Sequence, residues 1–187
     1  APAKRPSVGP GLARTLGVMT KLVLLPIETA DAAALAELQS AAFDDYERSD
    51  LLSEVIAQEV AARPAGLVRD VPSPFGLAAY LDGTLVGWSQ GHRQGKSEFY
   101  MLNSGVASTE RRKGVYSELV KAVLDHAASQ GYAKVTSRHS ASNTAVLIAK
   151  MRLGFQVSGF EYSEVYGPLV QLTFIVSEAR RRLYRVR

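Results

Sequence analysis

The residues best suited to chemistry lie in one basic, glycine-bearing segment, Arg111–Ser117, which reads RRKGVYS. The segment stands between a strand-like run that ends near Val106 and an amphipathic run that begins at Val115. A helix beginning here would present unpaired backbone N–H groups and the positive end of its dipole. Gly114 would let an anion approach the backbone, and the Ser117 hydroxyl would add a donor. The segment therefore suits a phosphate or pyrophosphate, although a solvated basic turn before a helix has the same composition.

Other site chemistries have less support. The segment matches neither of the two common glycine-rich phosphate motifs, GxxxxGK[ST] and GxGxxG. The chain has no cysteine, which excludes thiolate nucleophiles, disulfides and cysteine-based metal sites and fits a cytoplasmic protein. The three histidines, His92, His126 and His139, are not spaced as metal ligands, so we expect no metal.

Length and composition predict one ordinary domain. The chain has 187 residues, of which 47% are hydrophobic and 21% charged, so it can bury a substantial core. No apolar run approaches the roughly 18 residues of a membrane-spanning helix. Residues 1–18 show no periodicity and predict a flexible extension, and residues 19–187 predict a single domain with a basic C-terminal end.

The charge is uneven along the chain. The net charge is +4, but the first 21 residues contain no acid and five arginines lie within the last eight residues. The middle of the chain is therefore mildly acidic. We interpret the basic ends as solvated tails and expect no membrane or nucleic-acid partner; a nucleic-acid-binding protein that uses these ends is the alternative.

Hydrophobic periodicity predicts the elements that would position the basic segment. A period of two, with turn residues between runs, indicates strands, and apolar residues at helical spacing indicate helices. The order predicts a single α+β or mixed α/β domain. The predicted strands are 21–27, 75–81, 84–90, 98–107, 132–137, 155–162 and 169–176, and the predicted helices are 32–43, 51–62, 115–130, 143–153 and a short basic one at the end.

Two segments beside the basic loop give it a family resemblance. The upstream strand ends at Val106, and the loop and helix start, Arg111-Arg-Lys-Gly-Val-Tyr116, are similar to the [Gln/Arg]-x-x-Gly-x-[Gly/Ala] signature of the GNAT superfamily of acyl-CoA-dependent N-acyltransferases. A second family pattern is an Asn, a Tyr seven positions later, and Gly-Phe; Asn143 and Gly154-Phe155 match it. Together the two motifs resemble the family over about residues 21–176.

The resemblance implies a fold and a cosubstrate. The fold would be a central, mixed, mostly antiparallel sheet of six to seven strands, splayed in the middle and flanked by about four helices. Acetyl-CoA would lie in the splay, with its pantetheine arm on the strand end, its pyrophosphate on the loop amides and no metal. The residues implied for acetyl-CoA are Val106, Ala107, Arg111, Arg112, Lys113, Gly114, Val115, Tyr116, Ser117 and Asn143.

The sequence departs from the family pattern at two positions. Tyr116 stands where the family usually has Gly or Ala, so its side chain either points outward or crowds the pyrophosphate. Lys150 stands where the family often has the tyrosine that protonates the leaving thiolate. A lysine there could donate a proton, but we expect it on an exposed helix face.

The catalytic and acceptor residues follow from the strand that precedes the loop. Some family members have a Glu at the position of Tyr100, and Glu98 lies two residues earlier on the same strand face. We expect Glu98 to act as the general base, through water and Tyr100; the alternative is a solvated Glu98 with Tyr100 in the core. Ser104, expected on that same face, and His139, at a strand end, are candidates for contact with the acceptor.

The sequence therefore predicts an N-acetyltransferase that moves an acetyl group from acetyl-CoA to a primary amine in a ternary complex. Catalysis would come from positioning and from polarisation of the thioester carbonyl. An acetyl-CoA-binding regulatory module with weak catalysis is the alternative, motivated by the missing tyrosine. The acceptor stays open, and an exposed sheet edge favours a homodimer.

Overall fold

The strands form one sheet whose order places the predicted loop beside a parallel strand pair. The computed structural model describes residues 13–16, 20–43, 54, 58, 74–164 and 166–184. Its eight strands are arranged in the order β1-β2-β3-β4-β5-β6-β8-β7. They are β1 (Ala13–Leu16), β2 (Thr20–Pro26), β3 (Phe75–Leu81), β4 (Thr84–Gln94), β5 (Glu98–Val106), β6 (Lys134–Ser140), β7 (Gln156–Ser163) and β8 (Gly167–Ile175).

Two of these strands differ from their sequence-based predictions. Strand β1 lies within the segment predicted to be a flexible extension, where it pairs with β2 at the sheet edge; it raises the strand number above the six to seven expected. Strand β4 runs four residues further than predicted, to Gln94, because the polar residues after Gln90 continue to pair with β5. His92, predicted in a turn, therefore lies in a strand.

Four α-helices lie wholly within the described residues. They are α1 (Ala32–Phe43), α2 (Val115–Ser129), α3 (Thr144–Arg152) and α4 (Glu178–Tyr184). The predicted cap of α1 is confirmed, because Asp31 Oδ1 accepts the Ala34 N–H at 2.9 Å. Of the helix predicted over 51–62, only residues 54 and 58 are described, both helical; the rest of that prediction, with the acidic connector before it, lies outside the described residues.

The core lies between the sheet and α2. The helix buries one stripe of apolar residues, as its spacing predicts: Val115, Leu119, Val120, Val123 and Ala127. These side chains share one cluster with Phe99 and Met101 of β5 and Val135 of β6. The face of the sheet that carries Phe99 and Met101 is called the helix face below, and the other is called the opposite face.

A bulge in β5 reverses which residues share a face. Ser89 pairs with Ser104 and Gly91 pairs with Met101, so Leu102 is an extra residue without a partner on β4. Ser89 and Gly91 are two residues apart and point to one face. Ser104 therefore lies on the helix face with Met101, while Tyr100, paired with His92, lies on the opposite face.

Gly105 is required by the close approach of a buried ring. A Cβ built at Gly105 would lie 2.3 Å from the Trp88 ring, and Trp88 is fully buried. We expect Gly105→Ala to destabilise the protein by about 3 kcal/mol, because a rigid indole in a packed core cannot move aside.

Denaturant unfolding would measure this change. Gly159→Ala is the matched control, because its Cβ would meet only the flexible side chain of Gln171, at 3.3 Å from Oε1 and 3.8 Å from Cβ; it should cost less than about 1 kcal/mol. Equal losses from the two substitutions would show that the Trp88–Gly105 contact is not what fixes residue 105.

Candidate active site

The sheet opens between β5 and β6. The two strands are parallel and pair only at Glu98–Lys134, Phe99–Val135 and Tyr100–Thr136. Beyond these three pairs β5 continues to Val106 and β6 to Ser140 with no pairing between them. The predicted splay is therefore confirmed. Because backbone groups that leave a ladder need other partners, an extended, polar molecule could pair along this gap.

The basic loop curls at the entrance to α2. Gly114 is the N-cap residue and has φ +92°, and Arg112 has φ +65°. The first hydrogen bond of the helix is donated by Glu118 N–H to Gly114 O, at 3.1 Å. The amides of Val115, Tyr116 and Ser117 precede that bond, and no side chain caps the helix. The loop thus carries the geometry of an anion site at a helix N-terminus.

The loop is attached to the end of β5. Arg111 Nε donates to Val106 O at 3.2 Å, and Lys113 Nζ pairs with Glu110 at 3.1 Å. Ala107, expected to pair with pantetheine, already uses both backbone groups: its N–H donates to Val86 O and its carbonyl accepts from Glu110 N–H. The Val106 carbonyl instead accepts from a side chain, which can turn away more easily than backbone, so Val106 is the better of the two for that role.

Tyr116 points inward. Its ring packs against the hydrophobic core, and its hydroxyl is buried with no hydrogen-bond partner among the described residues. Burial raises the pKa of the Tyr116 phenol well above its usual value. The ring therefore takes neither of the two orientations expected from the sequence: it packs into the core and leaves the outer side of the loop free.

Asn143 caps α3. Its Oδ1 accepts the Val146 N–H at 3.3 Å, a common use of Asn at a helix start. The side chain therefore has a structural role, and only its remaining NH2 group is available for a ligand at the gap.

Lys150 corrects a prediction. We expected an exposed lysine, but its side chain is buried, with 1% of the residue exposed. Its Nζ donates to Ser137 Oγ of β6 at 2.7 Å and lies 3.4 Å from Met101 Sδ of β5. It also lies 4.8 Å from the centre of the Phe155 ring. The amine thus bridges the two strands just beyond their last pair, at the apex of the gap.

Burial changes the protonation of this cluster. It lowers the pKa of Lys150 to about 7, because an ammonium group loses its hydration there. His139 Nε2 lies 3.0 Å from Ser137 Oγ on the same side of β6. Burial and then the charge of Lys150 lower the pKa of His139 to about 3. The cluster therefore holds a neutral imidazole and an amine that is partly neutral at pH 7.

Glu98 lies at the closed end of the splay. One carboxylate oxygen accepts from Thr136 Oγ1 at 2.5 Å and the other pairs with Lys134 Nζ at 2.7 Å. Both partners belong to β6, so the carboxylate ties β5 to β6 where they still pair. The carboxylate is therefore not solvated at a strand start, because it lies between two partners on β6.

The opposite face carries a different set of side chains. Tyr100 lies against His92, with ring centres 5.5 Å apart, and the Arg138 guanidinium lies 5.3 Å from the centre of the Tyr100 ring. Arg138 in turn pairs with Glu161 at 2.9 Å. His92 Nδ1 is buried with no hydrogen-bond partner among the described residues. Sequence reasoning missed His92 because it placed that residue in a turn.

The two residues predicted to touch the acceptor do not lie with Tyr100. Ser104 is on the helix face, where its hydroxyl bonds to the buried Ser89 at 2.9 Å. His139 is also on that face, beside Ser137 and Lys150. The bulge at Leu102 explains why Ser104 lies on the helix face. One extra residue in β5 inverts the alternation of side chains between the two faces, on which the sequence-based prediction depended. The candidate substrate residues thus divide between two faces.

The described residues include no group of His, Asp and Glu side chains that could hold a metal ion. Within the same part of the chain, no helix has both the length and the apolar character needed to cross a membrane.

Comparisons with solved structures identify the fold. The ribosomal-protein-S18-alanine N-acetyltransferase from Escherichia coli superposes with a TM-score of 0.63 at 15% identity, covering 83% of this chain and 94% of that one. The protein yncA from Salmonella typhimurium, solved with acetyl-CoA, gives a TM-score of 0.62 at 15% identity, covering 84% of this chain and 95% of that one. A GNAT family acetyltransferase from Elizabethkingia anophelis with acetyl-CoA bound gives a TM-score of 0.57 at 16% identity, covering 82% of this chain and 97% of that one.

The sequence comparisons agree with the fold. No curated protein sequence gives a match. The family model for the acetyltransferase (GNAT) family matches residues 32–155, a range that spans the splayed strands, the basic loop and Lys150. This protein therefore belongs to the acetyltransferase (GNAT) family.

Proposed function

We propose that this protein transfers the acetyl group of acetyl-CoA directly to a primary amine, with both substrates bound at the gap between β5 and β6. The observation that carries the proposal is the position of the gap. It opens beside the N-terminus of α2, where three helix amides have no intrahelical acceptor. A molecule with a pyrophosphate and an extended amide arm matches both features at once.

The loop would hold the pyrophosphate. The amides of Val115, Tyr116 and Ser117 would donate to its oxygens, with the Ser117 hydroxyl beside them. Arg112 and Lys113 would add positive charge from exposed positions. Val106 would pair with the pantetheine arm once Arg111 releases its carbonyl.

The acceptor would approach from the opposite face. Donor and acceptor must meet at the gap, and the helix face is taken by α2, α3 and the loop. Tyr100 would form the wall beside the amine. His92 is the candidate base, because its ring lies against Tyr100 and its buried Nδ1 has no hydrogen-bond partner among the described residues. Glu98 would then position β5 against β6 rather than take the proton.

Lys150 would supply the proton to the departing sulfur. Its amine lies between Met101 and Ser137 at the apex of the gap, and a pKa of about 7 matches a donor that works near neutral pH. This assigns the role of the family tyrosine to a residue of different chemistry.

The test has two stages. Calorimetric titration with acetyl-CoA, and separately with CoA, should give saturable micromolar binding. Initial rates with a panel of small amines, amino acids and peptides at saturating acetyl-CoA should then show turnover with at least one class. Binding without any turnover would favour a regulatory module, and no binding by the folded protein would reject the proposal.

Glu98→Gln tests the positioning role. It removes the negative charge that pairs with Lys134 but keeps the shape, so we expect a loss of about 1 kcal/mol in stability. The pH dependence of kcat/KM should stay the same, because the proton is taken elsewhere. The control is Glu178→Gln, which breaks the ion pair to Arg182 in α4. If Glu98→Gln, but not Glu178→Gln, changed the pH dependence of kcat/KM, Glu98 would be the base after all.

A further inference from the structure

Ser137 occupies a position that direct transfer leaves unused. Its hydroxyl has two nitrogen neighbours, Lys150 Nζ at 2.7 Å and His139 Nε2 at 3.0 Å. It belongs to the first β6 residue beyond the last pair with β5. The residue is fully buried by protein, and it lies where the strands separate.

The arrangement is that of an activated hydroxyl. A serine becomes a nucleophile when a neutral base lies within hydrogen-bond reach and a third group fixes the geometry. A neutral lysine amine can serve as that base, and Ser–Lys pairs catalyse acyl transfer on unrelated folds. Burial leaves the Lys150 amine partly neutral at pH 7, so it can take the hydroxyl proton, whereas His139, with a pKa of about 3, stays neutral and can accept only a hydrogen bond from Ser137. Met101 and Phe155 fix the lysine from two sides.

An activated hydroxyl also needs an acyl group to attack, and the gap would supply one. A thioester bound at the apex of the gap would contact both Lys150 and Ser137, because Lys150 Nζ and Ser137 Oγ are hydrogen-bonded to each other. This step rests on the proposed function, in which acetyl-CoA lies in the gap.

We propose that Ser137 is an alternative acetyl acceptor, so that the protein hydrolyses acetyl-CoA through an acetyl-serine ester when no amine is bound. The bond from Ser137 Oγ to the acetyl carbon forms as the bond from that carbon to sulfur breaks. The hydroxyl proton passes to Lys150 Nζ and from there to the CoA thiolate. Water then attacks the ester carbon and the bond from that carbon to Oγ breaks. One proton of the water passes through Lys150 to Oγ, and acetate leaves while the other proton is released to solvent.

CoA release without an amine is the direct measurement. The chain contains no cysteine, so a thiol reagent reports only the CoA formed. Wild type should release CoA continuously, and Ser137→Ala should lower this rate about tenfold or more while acetyl-CoA binding by calorimetry stays the same. The matched control is Ser89→Ala, which removes another fully buried serine hydroxyl, on β4 and not on either strand that borders the gap; its rate should match wild type.

Mass spectrometry locates the acetyl group. Acid-quenched wild type should carry one acetyl group on Ser137 that alkaline hydroxylamine removes. If Ser137→Ala does not fold, Ser137→Cys serves instead, because a thiol of similar size should accumulate an acetyl thioester at residue 137. Unchanged CoA release in Ser137→Ala, or a hydroxylamine-stable acetyl group on Lys150 in place of Ser137, would overturn the proposal.

The two proposals fail in different ways. If wild type does not bind acetyl-CoA, the proposed function fails and the serine step fails with it. If acetyl-CoA binds and an amine is acetylated, but residue 137 gains no acetyl group in wild type or in Ser137→Cys, only the serine step is wrong.

Discussion

Gly114→Glu is expected to lower the affinity for acetyl-CoA by at least about 100-fold. Residue 114 is the N-cap of α2, with φ +92°, so the new carboxylate would stand at the point where the loop offers its amides to an anion. Two like charges in partial contact cost several kcal/mol when water is excluded. Calorimetric titration would measure the loss, and circular dichroism would show that α2 is retained.

The control must carry the same strain and charge. Gly95→Glu does, because Gly95 has φ +67° and nothing lies within 4 Å of its Cβ position. It occupies the turn between β4 and β5, at the end of β5 away from Val106. Both variants carry a similar backbone penalty, so a difference in binding isolates the loop. Equal affinity of the two variants for acetyl-CoA would remove the loop from the site.

Local patterns predicted the scaffold of the site well. The strand before the loop, the glycine at the helix start and the apolar stripe of α2 each depend on neighbours in sequence, which a single chain displays directly. The same patterns carried the family resemblance, which the family model confirms. The gap between β5 and β6 followed from that resemblance, not from periodicity.

The errors arose where a contact between distant residues decides the outcome. Nothing in the sequence of β5 places the extra residue of its bulge at Leu102, yet that position moves Ser104 to the helix face. Lys150 was expected at the surface because lysine is seldom buried, and only the packing of α3 against Met101 and Ser137 buries it. The family position of Lys150, where a tyrosine is usual, was the one available signal that this residue faces the site.

Lys150→Met should abolish most of the pH dependence of stability between pH 7 and 9. In wild type the folded protein has a Lys150 pKa of about 7, against 10.5 for a lysine in water. Between these values the unfolded chain binds one proton more than the folded protein, so stability rises with pH, by up to about 1.4 kcal/mol per pH unit. Below pH 7 the amine is protonated in both states, and this contribution to the slope disappears.

The same substitution separates the stability role from the catalytic role. Methionine fills a similar volume without an amine, so we expect the free energy of unfolding at pH 7 to rise by about 1–3 kcal/mol. The rate of acetyl transfer should fall about 100-fold, because the proton donor is lost. Lys121→Met is the control, because Lys121 is exposed and paired with Glu118 on the surface of α2. Denaturant unfolding at pH 7 and 9 would compare all three proteins. If the stability of Lys150→Met depends on pH as strongly as that of wild type, the buried amine is not the titrating group. If Lys150→Met transfers acetyl groups at the wild-type rate, the proton for the departing sulfur comes from elsewhere in the gap.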